Sequence, residues 1–152
     1  MSVGEPMARC GVVAAIGAAA LVWAPAADAE PATQLERGIA SLRAGSCPAL
    51  RPDPVVQRAA ELSNQSSEDY YNHGAQHVPV TDPLLVLTDL GSAAGKAVQL
   101  HGYGDTDADA IKGALLQGHT AIVDCSYMTF GSSVIRNMER GYTLVVAVLA
   151  DR

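Results

Sequence analysis

Apolar positions recur along this chain at two different periods, and the change from one to the other orders its elements. In "QLERGIASLRAG", Leu35, Ile39 and Leu42 fall on one face of a predicted helix, and Gly45 is placed to stop it. A second helix is predicted in "RPDPVVQRAAELSNQSSEDYYNHG". Asp53 serves as its N-cap and Pro54 takes the tolerated first position; Val55, Val56, Ala59, Ala60 and Leu62 form its apolar stripe, and Gly74 is placed to end it. "TDPLLVLTDLG" repeats the device on a shorter scale, with Pro83 early and Gly91 just past the end.

The period then shortens. "GKAVQLHGYG" alternates as a strand does, and "DTDADAIKGALLQG" opens a helix whose first turn is acidic, as the macrodipole favours. Ala110, Ile111, Ala114 and Leu115 are its predicted buried face. "FGSSVIRNMERGYTLVVAVLA" reads as two strands around "MERG". The last of them, "YTLVVAVLA", is apolar without alternation, which is the pattern of a strand covered on both faces. Helices first, strands later and a doubly covered final strand predict an α+β fold: a three-layer α/β/α sandwich around a small, mainly antiparallel sheet.

The first 29 residues stand apart. Arg9 precedes the run "CGVVAAIGAAALVWAP" and "ADA" follows it, the three parts of a secretory signal with cleavage after Ala29; Met7 is an alternative start. The run is short for a membrane span, so an uncleaved anchor is the weaker reading. Cys10 lies ahead of the run, whereas a lipoprotein acceptor cysteine follows it. The expected domains are thus a signal peptide at 1–29 and one domain at 30–152, with no membrane span in the mature chain and a destination outside the cell or in its envelope. Glu5, Asp28 and Arg9 leave with the signal, and the net charge of −6 becomes −5. With no basic cluster, nucleic acid and anionic membranes are poor partners. Only Cys47 and Cys125 remain, and export into an oxidising compartment predicts a disulfide between them, against the alternative of two free buried thiols.

The order of motifs resembles the CAP superfamily, named for cysteine-rich secretory proteins, antigen 5 and pathogenesis-related proteins. "LRAGSCPALRPDPVVQRAA" is similar to the opening of bacterial members: a helix, a Cys-Pro-x-Leu turn, an Asp-Pro and a helix with paired alanines. "GHTAIVDCSYMTFGSSV" resembles the family's His-containing loop and the strand after it, and "RGYTLVVAVLA" its last core strand. The resemblance implies a central cavity that usually carries two histidines and two acidic residues, a tetrad that binds a divalent metal in several members. Position by position most of it is missing here. Ser63 stands for the first histidine and Lys96 for the glutamate of the Gly-Glu-Asn strand; His119 alone matches. One donor of four holds neither Zn²⁺ nor Mg²⁺, and an ammonium in the cavity repels a cation. Neither metal nor other cofactor is therefore expected.

"EDYYNHGAQHVPV" supplies the other candidate chemistry. His73 and His77 have the i, i+4 spacing of a helical metal pair, but Gly74 and Pro79 interrupt the helix, and His73 suits a helix C-terminus. Asp105, Asp107 and Asp109 fit a helix start better than a Ca²⁺ loop. Ser46, Ser132 and Ser133 lack the spacing of a nucleophile elbow. Tyr70, Tyr71, Tyr103 and Tyr127 are expected as packing residues with wet hydroxyls, available to line a groove. The reading is a secreted, non-catalytic CAP-like binding module. Its groove is expected near Tyr71, His73, Lys96 and His119, for a lipid or a peptide, since some CAP proteins bind sterols or fatty acids. The alternative is a metal-assisted hydrolase using His73, His77 and His119 with Glu61, Glu68 or Asp69. A third reading is a stable envelope protein whose role is interaction or antigenicity.

Overall fold

Three helix starts in the structure are written into the local sequence as side-chain caps. The Asp53 carboxylate accepts hydrogen bonds from the N–H groups of Val55 and Val56 at 2.8 and 3.0 Å, Asp82 caps the next helix through Leu84 and Leu85, and Thr106 caps another through Asp109. The computed structural model describes Met1 and residues 30–152, so the predicted signal peptide lies outside the described residues apart from its first. The elements in chain order are α1 (Pro31–Arg43), β1 (Arg51–Pro52), α2 (Pro54–Tyr71), α3 (Pro83–Asp89), β2 (Ala97–Gly104), α4 (Asp107–Gln117), α5 (His119–Ile122), β3 (Thr129–Asn137) and β4 (Tyr142–Ala150).

The strands form one sheet in the order β1-β3-β4-β2. β2 and β3 flank β4 antiparallel, with Leu100 opposite Ala147 and Phe130 opposite Leu149, and the two-residue β1 joins β3 in parallel. One face carries α1, α4 and α5: Leu35, Ile39, Ala110, Ala114 and Ile122 pack against Leu100, Val145, Ala147 and Leu149. The other carries α2 and α3, where Val56, Ala59, Ala60 and Leu87 pack against Val146, Val148 and Ala150. Every residue of β4 is buried, as its unbroken apolar run predicts. The three-layer α+β sandwich and its mainly antiparallel sheet are therefore present. Two glycines set the spacing of the layers. A Cβ on Gly131 would collide with the backbone of Gln57, and one on Gly102 with the backbone of Ala110, so α2 lies directly on β3 and α4 on β2.

Local differences from the expected elements have physical causes. Leu62 is exposed, because the buried stripe of α2 continues through Ser63, Asn64 and Ser67 instead. Asn64 Nδ2 there donates to Ser133 Oγ at 3.1 Å and to Leu144 O at 3.3 Å, so a polar side chain docks the helix on the sheet. The residue that ends α2 in a left-handed conformation is His73, with φ of 58°, rather than Gly74; histidine is among the residues enriched there. β1 is too short to show a period. α5 is a single turn in the segment expected as a loop.

The disulfide between Cys47 and Cys125 is formed and ties the α1–β1 loop to the α5–β3 loop. Beside it Arg43, only 2% exposed, donates to four carbonyls: Pro48 at 3.0 Å, Ile122 at 2.6 Å, Asp124 at 3.2 Å and Tyr127 at 3.0 Å. A guanidinium has enough donors to close both loops at once. It takes the place of a hydrophobic plug at this end of the sandwich.

Candidate functional site

Strand alternation places Gln99, His101 and Tyr103 on the α2 face of β2, opposite Val148, Val146 and Leu144 of β4. The C-terminal turns of α2 bring Ser67 and Tyr71 over them, and the α2–α3 loop adds Pro79 and Thr81. Between these elements lies a pocket of about 410 Å³, with Leu144, Val145 and Val146 among its lining and Gln117, from the end of α4, on its edge. Its size falls in the range of small-molecule sites. Tyr71 and Tyr103, 43% and 52% exposed, stack across its mouth with ring centroids 5.4 Å apart and an interplanar angle of 29°. Tyr142 supports both rings from below, at 5.9 and 5.6 Å.

The polar residues that line the pocket, Ser67, Tyr71, Thr81, His101, Tyr103 and Gln117, are neutral, and Gln99, next to the lining, orients His101. Gln99 Nε2 lies 3.2 Å from Val80 O and 2.9 Å from His101 Nε2. Since the amide donates to both, the imidazole accepts at Nε2 and carries its proton at Nδ1. Burial pushes the His101 pKa below its ordinary value, which keeps the ring uncharged. The Gln99 Oε1 atom is buried and has no hydrogen-bond partner among the described residues. An apolar surface, a neutral imidazole and two amphipathic rings suit an uncharged or largely apolar occupant.

Behind the tyrosines sits a group that sequence reasoning treated only as a spare metal ligand. The Glu68 side chain, 9% exposed, accepts from Asn72 Nδ2 at 2.6 Å, Asn137 Nδ2 at 2.8 Å and the Tyr142 hydroxyl at 3.0 Å. Burial and the adjacent carboxylate push the Tyr142 pKa up, so the phenol remains a donor. This network locks α2 to β3 and β4 and holds Tyr142 under the other rings.

Of the four groove residues expected from sequence, only Tyr71 lines this pocket. His73 is exposed at the left-handed end of α2, and His119 is exposed at the start of α5. Lys96 precedes β2, seven residues or roughly 23 Å along the strand from Tyr103. There its Nζ meets Asp124 Oδ2 and Ser126 Oγ, each at 2.6 Å, and lies 4.3 Å from the centre of the Tyr127 ring. The ammonium holds the Asp124 carboxyl far below the usual carboxylate range. Lys96 thus braces the start of β2 against the α5–β3 loop. The expected hydrolase set is likewise not gathered: Glu61 bonds Arg58 and Gln57, His77 is exposed in the α2–α3 loop, and among the described residues no three His, Cys, Asp or Glu side chains converge as a metal site would require. Sequence reasoning missed His101, which lines the pocket, and Gln99, which bonds it. Their places two and four residues before Tyr103, on the same strand face, are the signal that points to them.

No family model matches the chain, and no curated protein matches it in sequence. Solved structures do share its fold. An outer surface protein from Borrelia burgdorferi superposes with a TM-score of 0.64 at 15% identity, over 80% of this chain and 92% of that one. A cysteine-rich secretory protein from Staphylococcus aureus Mu50 gives 0.57 at 14% identity, over 80% of this chain and 38% of its own. An extracellular protein containing an SCP domain from Bacillus anthracis gives 0.55 at 15%, over 80% and 40%. The chain spans less than half of the last two. Residues 30–152 therefore carry a divergent form of the SCP-like, or CAP, fold.

Proposed function

We propose that this chain is an exported, non-catalytic binding module of CAP-like fold, and that its ligand site is the Tyr71–His101–Tyr103 pocket. The observation that carries this reading is the composition of that pocket: apolar side chains of β4 below, stacked and exposed tyrosines above, and only neutral polar groups between. Such a site binds by burial of apolar surface and gains orientation from one or two hydrogen bonds. The Ser67 hydroxyl and the hydroxyls of Tyr71 and Tyr103, all in the lining, are the groups available to supply them. A fatty acyl chain or a sterol has the required chemistry. Export rests on the leader at 1–29, and the printed names of the fold neighbours, an outer surface protein and an extracellular protein, agree with it.

The test uses a property of the chain itself. Its one tryptophan, Trp23, lies in the leader, so fluorescence of the processed protein comes from five tyrosines, three of which form the cluster. Titration with palmitate and with cholesterol should change that emission saturably for at least one of them. The same titration on Tyr71→Ala should show weakened binding. No response to either compound would remove the apolar-ligand reading.

A further inference from the structure

β2 is an edge strand, and its own sequence carries none of the usual edge protection. Among the described residues, the sheet order leaves one side of Ala97–Gly104 without a neighbouring strand. The bond from Asp151 N to Lys96 O shows that even-numbered residues turn their backbone groups to β4, so Gln99, His101 and Tyr103 turn theirs outward. "AVQLHGYG" contains no charge and no proline, the usual devices that keep a free edge from pairing.

One side chain occupies that edge. Gln117 Oε1 accepts the outward N–H of His101 at 2.7 Å in an exposed position, where the carbonyl of an added strand would otherwise sit. No bond among the described residues occupies the outward N–H or C=O of Tyr103. Gln117 also separates two concavities. One is the Tyr71–Tyr103 pocket on the α2 face; the other, about 370 Å³, lies on the α4–α5 face beside Leu100, Gly118, Ala121 and Tyr127. Consecutive side chains of a strand laid along this edge would point alternately into the two. The edge ends at exposed Asp105 and Asp109. Asp107 is already paired with Arg136, whereas Asp105 has no ion-pair partner among the described residues.

We propose that the outer edge of β2 receives an extended segment of a partner protein as a fifth strand. An apolar side chain of that segment enters the Tyr71–Tyr103 pocket, and a basic residue meets Asp105 and Asp109. This rests on the reading of that pocket as a ligand site and names a macromolecular occupant for it. The Gln117 amide is a stand-in for the partner backbone and is displaced on binding. Main-chain pairing supplies affinity, while the two concavities select the side chains.

The test uses the exported full chain and a synthetic probe, acetyl-Lys-Thr-Val-Phe-Val-Thr-Lys-amide. Basic residues at both ends make it indifferent to strand direction. A second probe is N-methylated at Phe and at the following Val, so that in either register one hydrogen bond to β2 is lost. The first should bind with one-to-one stoichiometry and slow hydrogen exchange at the Tyr103 amide. The second should bind about tenfold more weakly or worse. Gln117→Ala, which removes the competing amide, should tighten the first probe by roughly threefold. Equal affinity for the two probes would overturn strand pairing and leave the pocket reading intact. Binding of palmitate or cholesterol without binding of the first probe would also overturn the strand alone. Failure of every probe would overturn both.

Discussion

The ring of Tyr71 on α2 stacks on the ring of Tyr103 on β2, 5.4 Å apart, joining a helix and an edge strand that share no backbone bond at that point. Both rings are about half exposed, so the stack is held by Tyr142 beneath it and not by burial in the core. Tyr103→Ala should therefore cost only about 1 kcal/mol of stability, the usual worth of an aromatic pair beyond its area. It should weaken an apolar ligand by about tenfold, because one wall of the pocket goes with it. Urea unfolding and ligand titration on the same sample separate the two effects.

Arg43 should be far less tolerant. Replacing it by Met leaves the carbonyls of Ile122 and Tyr127 without their donors in buried positions, and those of Pro48 and Asp124 in partly buried ones. A loss of about 3 kcal/mol or more is expected, since orphaned buried acceptors each cost on the order of 1 kcal/mol. The readout is the urea midpoint of Arg43→Met against the parent, with Arg37→Met, an exposed arginine of α1, as the control.

The Cys47–Cys125 bond closes a loop across 78 positions of sequence. Its loss in a Cys47→Ser/Cys125→Ser double variant should cost about 4 kcal/mol on the chain-entropy account, because the unfolded chain regains that loop freedom. Reducing agent should lower the melting temperature of the parent and leave that of the double variant unchanged.

Acid should act through His101. Burial lowers its folded pKa below the unfolded value of 6.5, so the unfolded chain binds the proton first. Stability contributed by the neutral ring is complete above that value. It falls as pH drops from 6.5 through the folded pKa, and below the folded pKa there is no further loss from this group. Denaturation series from pH 7.5 to pH 5 should show the decline for the parent and a flatter profile for His101→Gln.

The layers were legible because their signals are local. Asp53, Asp82 and their prolines announce two helix starts, and the unbroken apolar run of β4 announces a strand covered on both sides. The pocket was less legible, since it depends on which elements meet. Tyr71 and Tyr103 are 32 positions apart, and only the packing of α2 across the antiparallel β2–β4 pair brings them together. Lys96, the position assigned by resemblance, precedes the strand, while His101 and Tyr103 line the pocket. Arg43 reads as the basic end of a helix, and nothing in its neighbours reveals that two distant loops close over it.

Export should be visible at the protein's own terminus. The mature protein should begin at Glu30, and mass spectrometry of material recovered outside the cytoplasm checks it. A mass retaining residues 1–29 would favour an anchor.

The central claim is that the space between Tyr71, His101 and Tyr103 is where a ligand binds. Methyl NMR of leucine- and valine-labelled protein during addition of palmitate or cholesterol tests it most directly. The chain also has an apolar groove of about 320 Å³ beside α1, lined by Leu50 and Phe130, which serves as an internal comparison. Shifts concentrated at Leu144 and Val146, whose side chains face the pocket, and abolished in Tyr71→Ala are predicted, with Val145, on the opposite face of β4, much less affected. Unchanged methyls at those two residues, or shifts centred on Leu50, would contradict the account.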